Sequence, residues 1–498
     1  MTDSRAFLLD DADIPALQHS VARIAASGYS ETAVRDRLGL KDLCDLQMRA
    51  APLYRGERLA ERRPLDTAID LFLLQGTIGA AELDRLIDKE DVGFLERSGV
   101  LRIESTGEAS ANVSLYPAGN QLIFSDHTWP QLSKAGSSAV PFGQVMFVGA
   151  DSRWLARATV RSPVSSALDL CTGSGVQALL AATHCRRVAA VDINSRAVRC
   201  TRFNAKALGC SNLEVFEGDL YEPVGKEKFD LITANPPFVP SPVNSIGFRD
   251  GGRTGEDVQR RIVAGLSDHL AQGGMAQMVT EIGERDTVPL ADRVREWLGS
   301  APIDIHVLRL RIHSAEAYAI GHANGDTPGE FLESVDAWAD NLRLQGFTRI
   351  VSVLLAFQWS DPLCGPPWNR VDEAYPPNRD AGKEIEAAFA AERLTRDPGL
   401  KEKLKLGRVN RTGPVILQEG RVLGGTVPLS CKATLSGQAI PVEYQLNPIE
   451  RGLLDAIDNP VYVPTLLKIA RQINVSESSL QAGLASLLRE RLIGLQES

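Results

Sequence analysis

At 498 residues the chain is too long for one ordinary core, and its length predicts about three domains. Its 44% apolar and 23% charged residues are those of a soluble globular protein. A net charge of −9 argues against a protein that holds nucleic acid through a general basic surface.

No apolar run approaches the ~18 residues a membrane span needs. The stretch from Met1 to Asp11 is acidic where a secretory leader would be basic, so the expected compartment is the cytoplasm. The cysteines, at 44, 171, 185, 200, 210, 364 and 431, are odd in number and contain no Cys-x-x-Cys pair, which predicts reduced core thiols. The histidines form no ligand pattern, although His306 and His313 lie close together, and no metal site is expected.

The first 135 residues read as helices followed by strands. Helical spacing covers Ile14 to Ala26 and Glu31 to Leu38, with Gly28 as a stop between them. After Pro64, three helices are predicted over Leu65 to Leu74, Gly79 to Ile87 and Lys89 to Arg97. Strand-like runs at Val100 to Glu104 and Asn112 to Tyr116 then flank a Gly107 turn. Three helices and a hairpin is the order of a winged helix. The third helix carries Glu90, Asp91 and Glu96 against Lys89 and Arg97, and 15 basic residues face 21 acidic ones over residues 1–135, so groove reading of DNA is not expected.

From Pro163 strands and helices alternate. Strands are predicted at Val164 to Leu170, Arg187 to Ile193, Leu213 to Glu217, Phe229 to Ala234 and Met275 to Thr280. Helices are predicted at Val176 to Thr183, Ser195 to Leu208 and Val258 to Ala271. This is an α/β pattern with a parallel sheet, and such sheets bind ligands at the carboxyl ends of their strands. The first strand runs into a loop containing Asp169, Thr172, Gly173 and Gly175. Its glycines allow a tight turn and close ligand approach, and the spacing alone also fits a dinucleotide loop. Asp169, four residues before the first glycine, can accept from a cationic amino-acid group, whereas a pyrophosphate gains nothing there. Asp192 ends the second strand, where a carboxylate can accept from ribose hydroxyls, and Asn194 follows. Asp219 and Leu220 come after the third strand, within reach of an adenine amino group. The fourth strand ends in Asn235, Pro236, Pro237 and Phe238. The Asn235 side-chain oxygen and the Pro236 carbonyl can accept both N–H bonds of a planar amino group, orienting it for attack, while Pro237 stiffens the turn and Phe238 can stack on the substrate.

This order and spacing resemble the class I S-adenosylmethionine-dependent methyltransferases. The resemblance implies a Rossmann-like seven-stranded domain with S-adenosyl-L-methionine as cofactor. It assigns Asp169, Thr172, Gly173 and Gly175 to the methionine end, Asp192 and Asn194 to the ribose, Asp219 and Leu220 to the adenine, and Asn235 to both cofactor and substrate. The segment from Phe147 to Leu155 is similar to the family's cofactor-closing pre-motif. Gly251, Gly252, Arg253 and Gly255 resemble an element of the HemK-type glutamine methyltransferases, which act on release factors. The favoured implied substrate is therefore a protein glutamine amide in the translation machinery. The alternatives are adenine N6 or guanine N2 of a nucleic acid, or a non-catalytic S-adenosylmethionine-binding scaffold or sensor.

Ile303 to Leu310, a helix at Phe331 to Leu344 and a strand at Arg349 to Phe357 are expected to complete the sheet. The prolines at 362, 366, 367, 376 and 377 read as a linker or wrap, with Trp359 and Trp368 as packing anchors. Six basic residues between Arg396 and Arg411, against Asp397 and Glu402, read as a solvated surface or a contact for RNA phosphates. Strands at Val427 to Thr434 and Ala439 to Tyr444 precede helices at Pro448 to Ile457, Val463 to Ile473 and Ser478 to Arg491, which resemble a truncated winged helix. The expected domains are thus residues 1–135, helical and winged-helix-like for substrate recognition; 136–358, the methyltransferase; and 359–498, an α+β domain.

Overall fold

The computed structural model describes residues 6–127, 143–243, 246–421 and 428–496. The expected 135/136 boundary lies outside them, as does Val427. Two compact units are formed, one from Met1–Ala156, Arg161–Leu290 and His313–Ile350, the other from Arg157–Val160, Ala291–Ile312 and Val351–Ser498.

The first unit begins with α1 (Ile14–Ala26) and α2 (Glu31–Leu38). Gly39 at φ 71 closes α2 in the left-handed conformation that glycine adopts without a steric penalty. The predicted helix from Leu65 starts at Pro64 and widens into π-type turns over Ile69–Leu73, where Leu74 N–H donates to Ile69 O at 2.9 Å. Then come β1 (Thr77–Ile78), α3 (Ala80–Leu86), α4 (Lys89–Arg97), β2 (Leu101–Ile103) and β3 (Ala109–Ala111), with sheet order β1-β3-β2. The hairpin around Gly107 therefore closes on Ala109–Ala111 rather than on Asn112 to Tyr116. Asn112 donates its side-chain N–H to Gly99 O at 3.2 Å, and the chain moves on to a separate hairpin, β4 (Ser114–Ala118) with β5 (Gln121–Ser125).

After α5 (Ala150–Ala158), β6 (Val164–Leu170), α6 (Val176–Ala181), β7 (Cys185–Asp192), α7 (Ser195–Ala207), β8 (Leu213–Glu217), β9 (Phe229–Ala234), α8 (Asp257–His269) and β10 (Leu270–Glu284) alternate as the sequence pattern predicts. The strands run in the order β10-β9-β6-β7-β8, every pair parallel. β10 extends well beyond its expected run, with a register break between Leu270 and Met275 that hid its start. Helices α9 (Ala315–His322) and α10 (Pro328–Leu344) also belong to this unit. The N-terminal third shares one hydrophobic core with α6 and α7, through residues such as Leu17, Phe72, Phe124, Leu179 and Phe203.

The second unit contains β11 (Ile303–Ser314), β12 (Arg349–Trp359) and β13 (Asn369–Glu373). β13 lies in the proline-crowded segment expected to be a linker, pairs in parallel with β11, and makes eight strands where seven were expected. Its inward-facing residue is a cation, Arg370, so no apolar alternation marks the strand. Arg370 meets Asp372 at 2.7 Å, Glu392 at 3.1 Å and Glu490 at 2.5 Å. Trp368 is buried against Phe389, a packing anchor. The basic run is paired locally: Arg396 with Glu392, Lys403 with Asp397, Lys405 with Glu402, and Arg411 with Asp458. The strand expected from Ala439 shortens to Glu443–Gln445, and helices Pro448–Ala456, Val463–Gln472 and Glu477–Arg489 follow as expected. Among the described residues, no helix is long and apolar enough to cross a membrane and no cluster of His, Cys, Asp or Glu is placed to hold a metal ion.

One buried amide ties β5 to the glycine loop. Asn204 on α7 accepts from Phe124 N–H at 2.8 Å and donates to Phe124 O at 2.8 Å and Ser174 O at 2.9 Å. Asn204→Ala strands these backbone groups away from water and should lower stability by about 2–4 kcal/mol, read as an earlier midpoint in urea.

Candidate active site

The loop between β6 and α6 is built around a carboxylate. Asp169, 2% exposed, accepts from Thr172 Oγ1 at 2.6 Å and Ala178 N–H at 3.2 Å with one oxygen, and from Thr233 Oγ1 at 2.8 Å with the other. It thereby joins the glycine loop, the start of α6 and the end of β9. Burial is the main influence on its acidity and raises it to about 7, although all three hydrogen bonds pull the other way.

Gly173 and Gly175 both have positive φ, 57° and 82°, for different reasons. A Cβ on Gly175 would stand 2.7 Å from Thr201 Cγ2, so that glycine is required by packing against α7. At Gly173 no described atom lies within 4 Å of where a Cβ would point, so its open face admits a ligand to the backbone. Thr201 Oγ1 donates to Gly173 O at 3.0 Å and pins the turn.

Asp192 stands at the end of the neighbouring strand and faces the same loop. It accepts from Gly173 N–H and Asn194 N–H, both at 2.9 Å, and burial raises its pKa. Asn194 caps α7 by accepting from Arg196 N–H at 3.0 Å, and donates to Gly143 O at 2.8 Å. Asp219 pairs with Arg261 of α8 at 2.7 Å. Leu220 beside it is buried and adopts φ 51°, which turns the chain sharply after β8.

The fourth strand delivers Asn235. Its Nδ2 donates to Asp151 Oδ2 at 3.3 Å and Ser152 Oγ at 3.1 Å, whereas its Oδ1 is buried with no hydrogen-bond partner among the described residues. A buried acceptor without a donor is costly, and a donor from outside the chain would relieve that cost. The next turn is enclosed by Gly251 to Gly255. Phe238 and Val239 both donate to Arg249 O, at 3.0 and 2.9 Å, and Gly251 N–H donates to Val239 O at 3.0 Å. A Cβ on Gly251 would stand 2.7 Å from Pro237 O, and one on Gly255 would collide with Phe238 O. The glycines resembling the HemK-type element thus let one backbone lie directly against another. Phe238 is half-buried against Tyr318 and Trp338 of α9 and α10, with Pro236 buried and Pro237 partly exposed.

Three contributors were not foreseen in the sequence. Asp151 and Ser152 lie in the segment read only as a cofactor-closing pre-motif. Asn341, on α10, donates to Pro240 O at 3.1 Å and Arg253 O at 2.9 Å, fastening the two loops together from a helix about a hundred residues away. Its only sequence signal is a polar residue on the buried stripe of an amphipathic helix.

Residues 148–296 match the family model described as methyltransferase small domain. A ribosomal protein uL3 glutamine methyltransferase of Bradyrhizobium diazoefficiens is 37% identical over 134 residues, 24% of this chain and 41% of that protein. The corresponding enzyme of Bordetella pertussis is 36% identical over 171 residues, 30% of this chain and 56% of its own. A release factor glutamine methyltransferase of Geobacter sulfurreducens is 34% identical over 142 residues, 26% of this chain and 50% of its own. The chain spans about half the length of these relatives.

The acidity of Asp169 has a consequence for stability. Its folded-state value of about 7 lies above the ordinary carboxyl value of 3.8, so the folded chain holds the proton more tightly. The group's contribution is complete below the ordinary value and is lost as pH rises through the folded one. The stability of the wild type relative to Asp169→Asn should therefore fall between about pH 4 and about pH 7 and level off above about pH 8. Urea titrations across that range measure it, and a gap that widens with pH contradicts the assignment.

Proposed function

We propose that this protein is a cytoplasmic S-adenosylmethionine-dependent N-methyltransferase whose substrate is a glutamine side-chain amide in a protein of the translation machinery. The observation that carries the reading is the buried Asn235 Oδ1, an acceptor with its own amide nitrogen already engaged by Asp151 and Ser152. The family match and the named activities of the relatives support the reaction and the substrate class.

The residues present fit the cofactor. Gly173 offers open backbone at the carboxyl end of β6, Asp192 has lone pairs left for hydroxyl donors after binding two backbone N–H groups, and Asp219 lies after the next strand. When bound there, S-adenosylmethionine supplies an electrophilic methyl group on a sulfonium. Asn235 Oδ1 and the Pro236 carbonyl accept the two N–H bonds of the substrate amide. They turn its nitrogen lone pair out of conjugation and towards the cofactor. Phe238 presents a face for the planar amide to lie against. The amide nitrogen would take the methyl carbon as the carbon–sulfur bond breaks, leaving the sulfur as an uncharged thioether. The nitrogen would release one proton to solvent, so catalysis is by orientation and needs no base from the chain.

Asn235→Ala should lower kcat by ~10²-fold, because the acceptor acts on the reacting group. Cofactor affinity, measured by calorimetric titration, should fall by less than kcat does, because Asn235 is one of several residues proposed to hold the cofactor but the main side chain proposed to orient the amide. Radiolabelled methyl transfer in a cell lysate tests the substrate class. Label removed by protease is the expected result, and label removed only by ribonuclease overturns the protein assignment.

A further inference from the structure

We infer that Asp151 is a positioning residue that sets the polarity of the Asn235 amide, so that an acceptor rather than a donor faces the substrate nitrogen. The inference rests on the methyltransferase reading above and concerns how the same site selects its working state.

A carboxamide is nearly symmetric in shape, and rotation by 180° about its last bond exchanges C=O for NH2 at almost no steric cost. Turned that way, Asn235 would point two N–H donors at a group that itself carries two N–H donors, and the site would repel its substrate. Something must make the two orientations unequal. Pro236 cannot, because its contribution is main-chain. Ser152 cannot, because a hydroxyl donates as readily as it accepts, and its Oγ at 3.1 Å would serve either orientation. Asp151 can while it is ionised, because a carboxylate only accepts and its Oδ2 at 3.3 Å requires the Asn235 nitrogen to face it. Burial raises its pKa, and the hydrogen bonds it accepts from Ser152 N–H and the Asn235 amide oppose that rise.

The chain holds this carboxylate in place from several directions. Asp151 lies in the first turn of α5, where unsatisfied N–H groups favour negative charge. Gly149 leaves room for it: a Cβ there would stand only 3.0 Å from Asp151 Oδ1 and 3.2 Å from Phe147 Cε2. Gln177 of α6 donates to Ser152 O at 2.8 Å and fastens the start of α5 to the glycine loop. The polarity of the substrate acceptor is thus tied to the loop built around Asp169.

A reciprocal swap tests this. Asp151→Asn permits the inverted amide, and Asn235→Asp alone sets two carboxylates against each other. Together they restore one donor and one acceptor with the acceptor still facing the substrate. The expected kcat order is wild type, then the double variant, then either single variant, with the double variant at least ~10-fold above the singles and cofactor affinity close to constant throughout. The same four proteins are compared by urea unfolding, which needs no activity: the double variant should regain most of the midpoint lost by the singles. Additive losses in the unfolding series, or Asp151→Asn with wild-type kcat, overturn the inference. Absent methyl transfer to protein by the wild type, with the unfolding cycle still coupled, overturns the substrate reading instead and leaves the pairing of Asp151 with Asn235 established.

Discussion

The site depends on one buried carboxylate. Asp169 is attached to Thr172, to the start of α6 and to Thr233, and Thr233 stands two residues before Asn235. A single side chain therefore fixes the backbone proposed to receive the cofactor and the strand that carries the proposed substrate acceptor. Burial of an unpaired carboxylate is unfavourable unless its oxygens are filled by donors, and here the donors belong to the parts that must stay in register. The cost of burying Asp169 is inseparable from the geometry it enforces.

Close backbone packing is the second constraint. Gly251 and Gly255 allow the segment after β9 to lie against the Pro237–Phe238 turn with no side chain between them. Asn341 then bridges Pro240 and Arg253, so α10 acts as a brace on the loop pair. Aromatic contacts continue the support: Trp338 lies beneath Arg249, and Tyr318 donates to Glu281 of β10 at 2.6 Å. Each element limits the motion of a turn proposed to orient a planar group, a task in which small displacements cost most.

The sheet was legible because β6, β7 and β9 are largely buried and, with the edge strand β8, read as short runs leading into Asp, Gly or Asn, and three of those four strands begin and end as the pattern predicts. β13 was not legible, since Arg370 replaces the inward apolar residue and its partners, Asp372, Glu392 and Glu490, are scattered over more than a hundred positions. The same physics hid Asn341 and Asp151: a polar residue is informative only with its partner, and the partner is set by the fold. Gly175 and Gly173 looked equivalent in the sequence, yet one faces Thr201 and the other open space. The basic run from Arg396 illustrates the converse, since most of its charge is answered by nearby acids once the chain is folded.

The acidic groups of the site differ in what they have left to offer. Asp169 is satisfied internally on both oxygens, so its influence on a ligand is through the loop it shapes and the charge it carries. Asp192 accepts one backbone N–H on each oxygen and keeps lone pairs with which it can accept from hydroxyl donors. Asp219 is paired with Arg261, whereas Asp169 and Asp192 still repel one another, which adds to the raised pKa of Asp169. Asp151 is engaged with the amide beside it. The four carboxylates are thus engaged differently: Asp169 within the glycine loop, Asp192 with two backbone N–H groups, Asp219 with Arg261, and Asp151, in the first turn of α5, with the Asn235 amide.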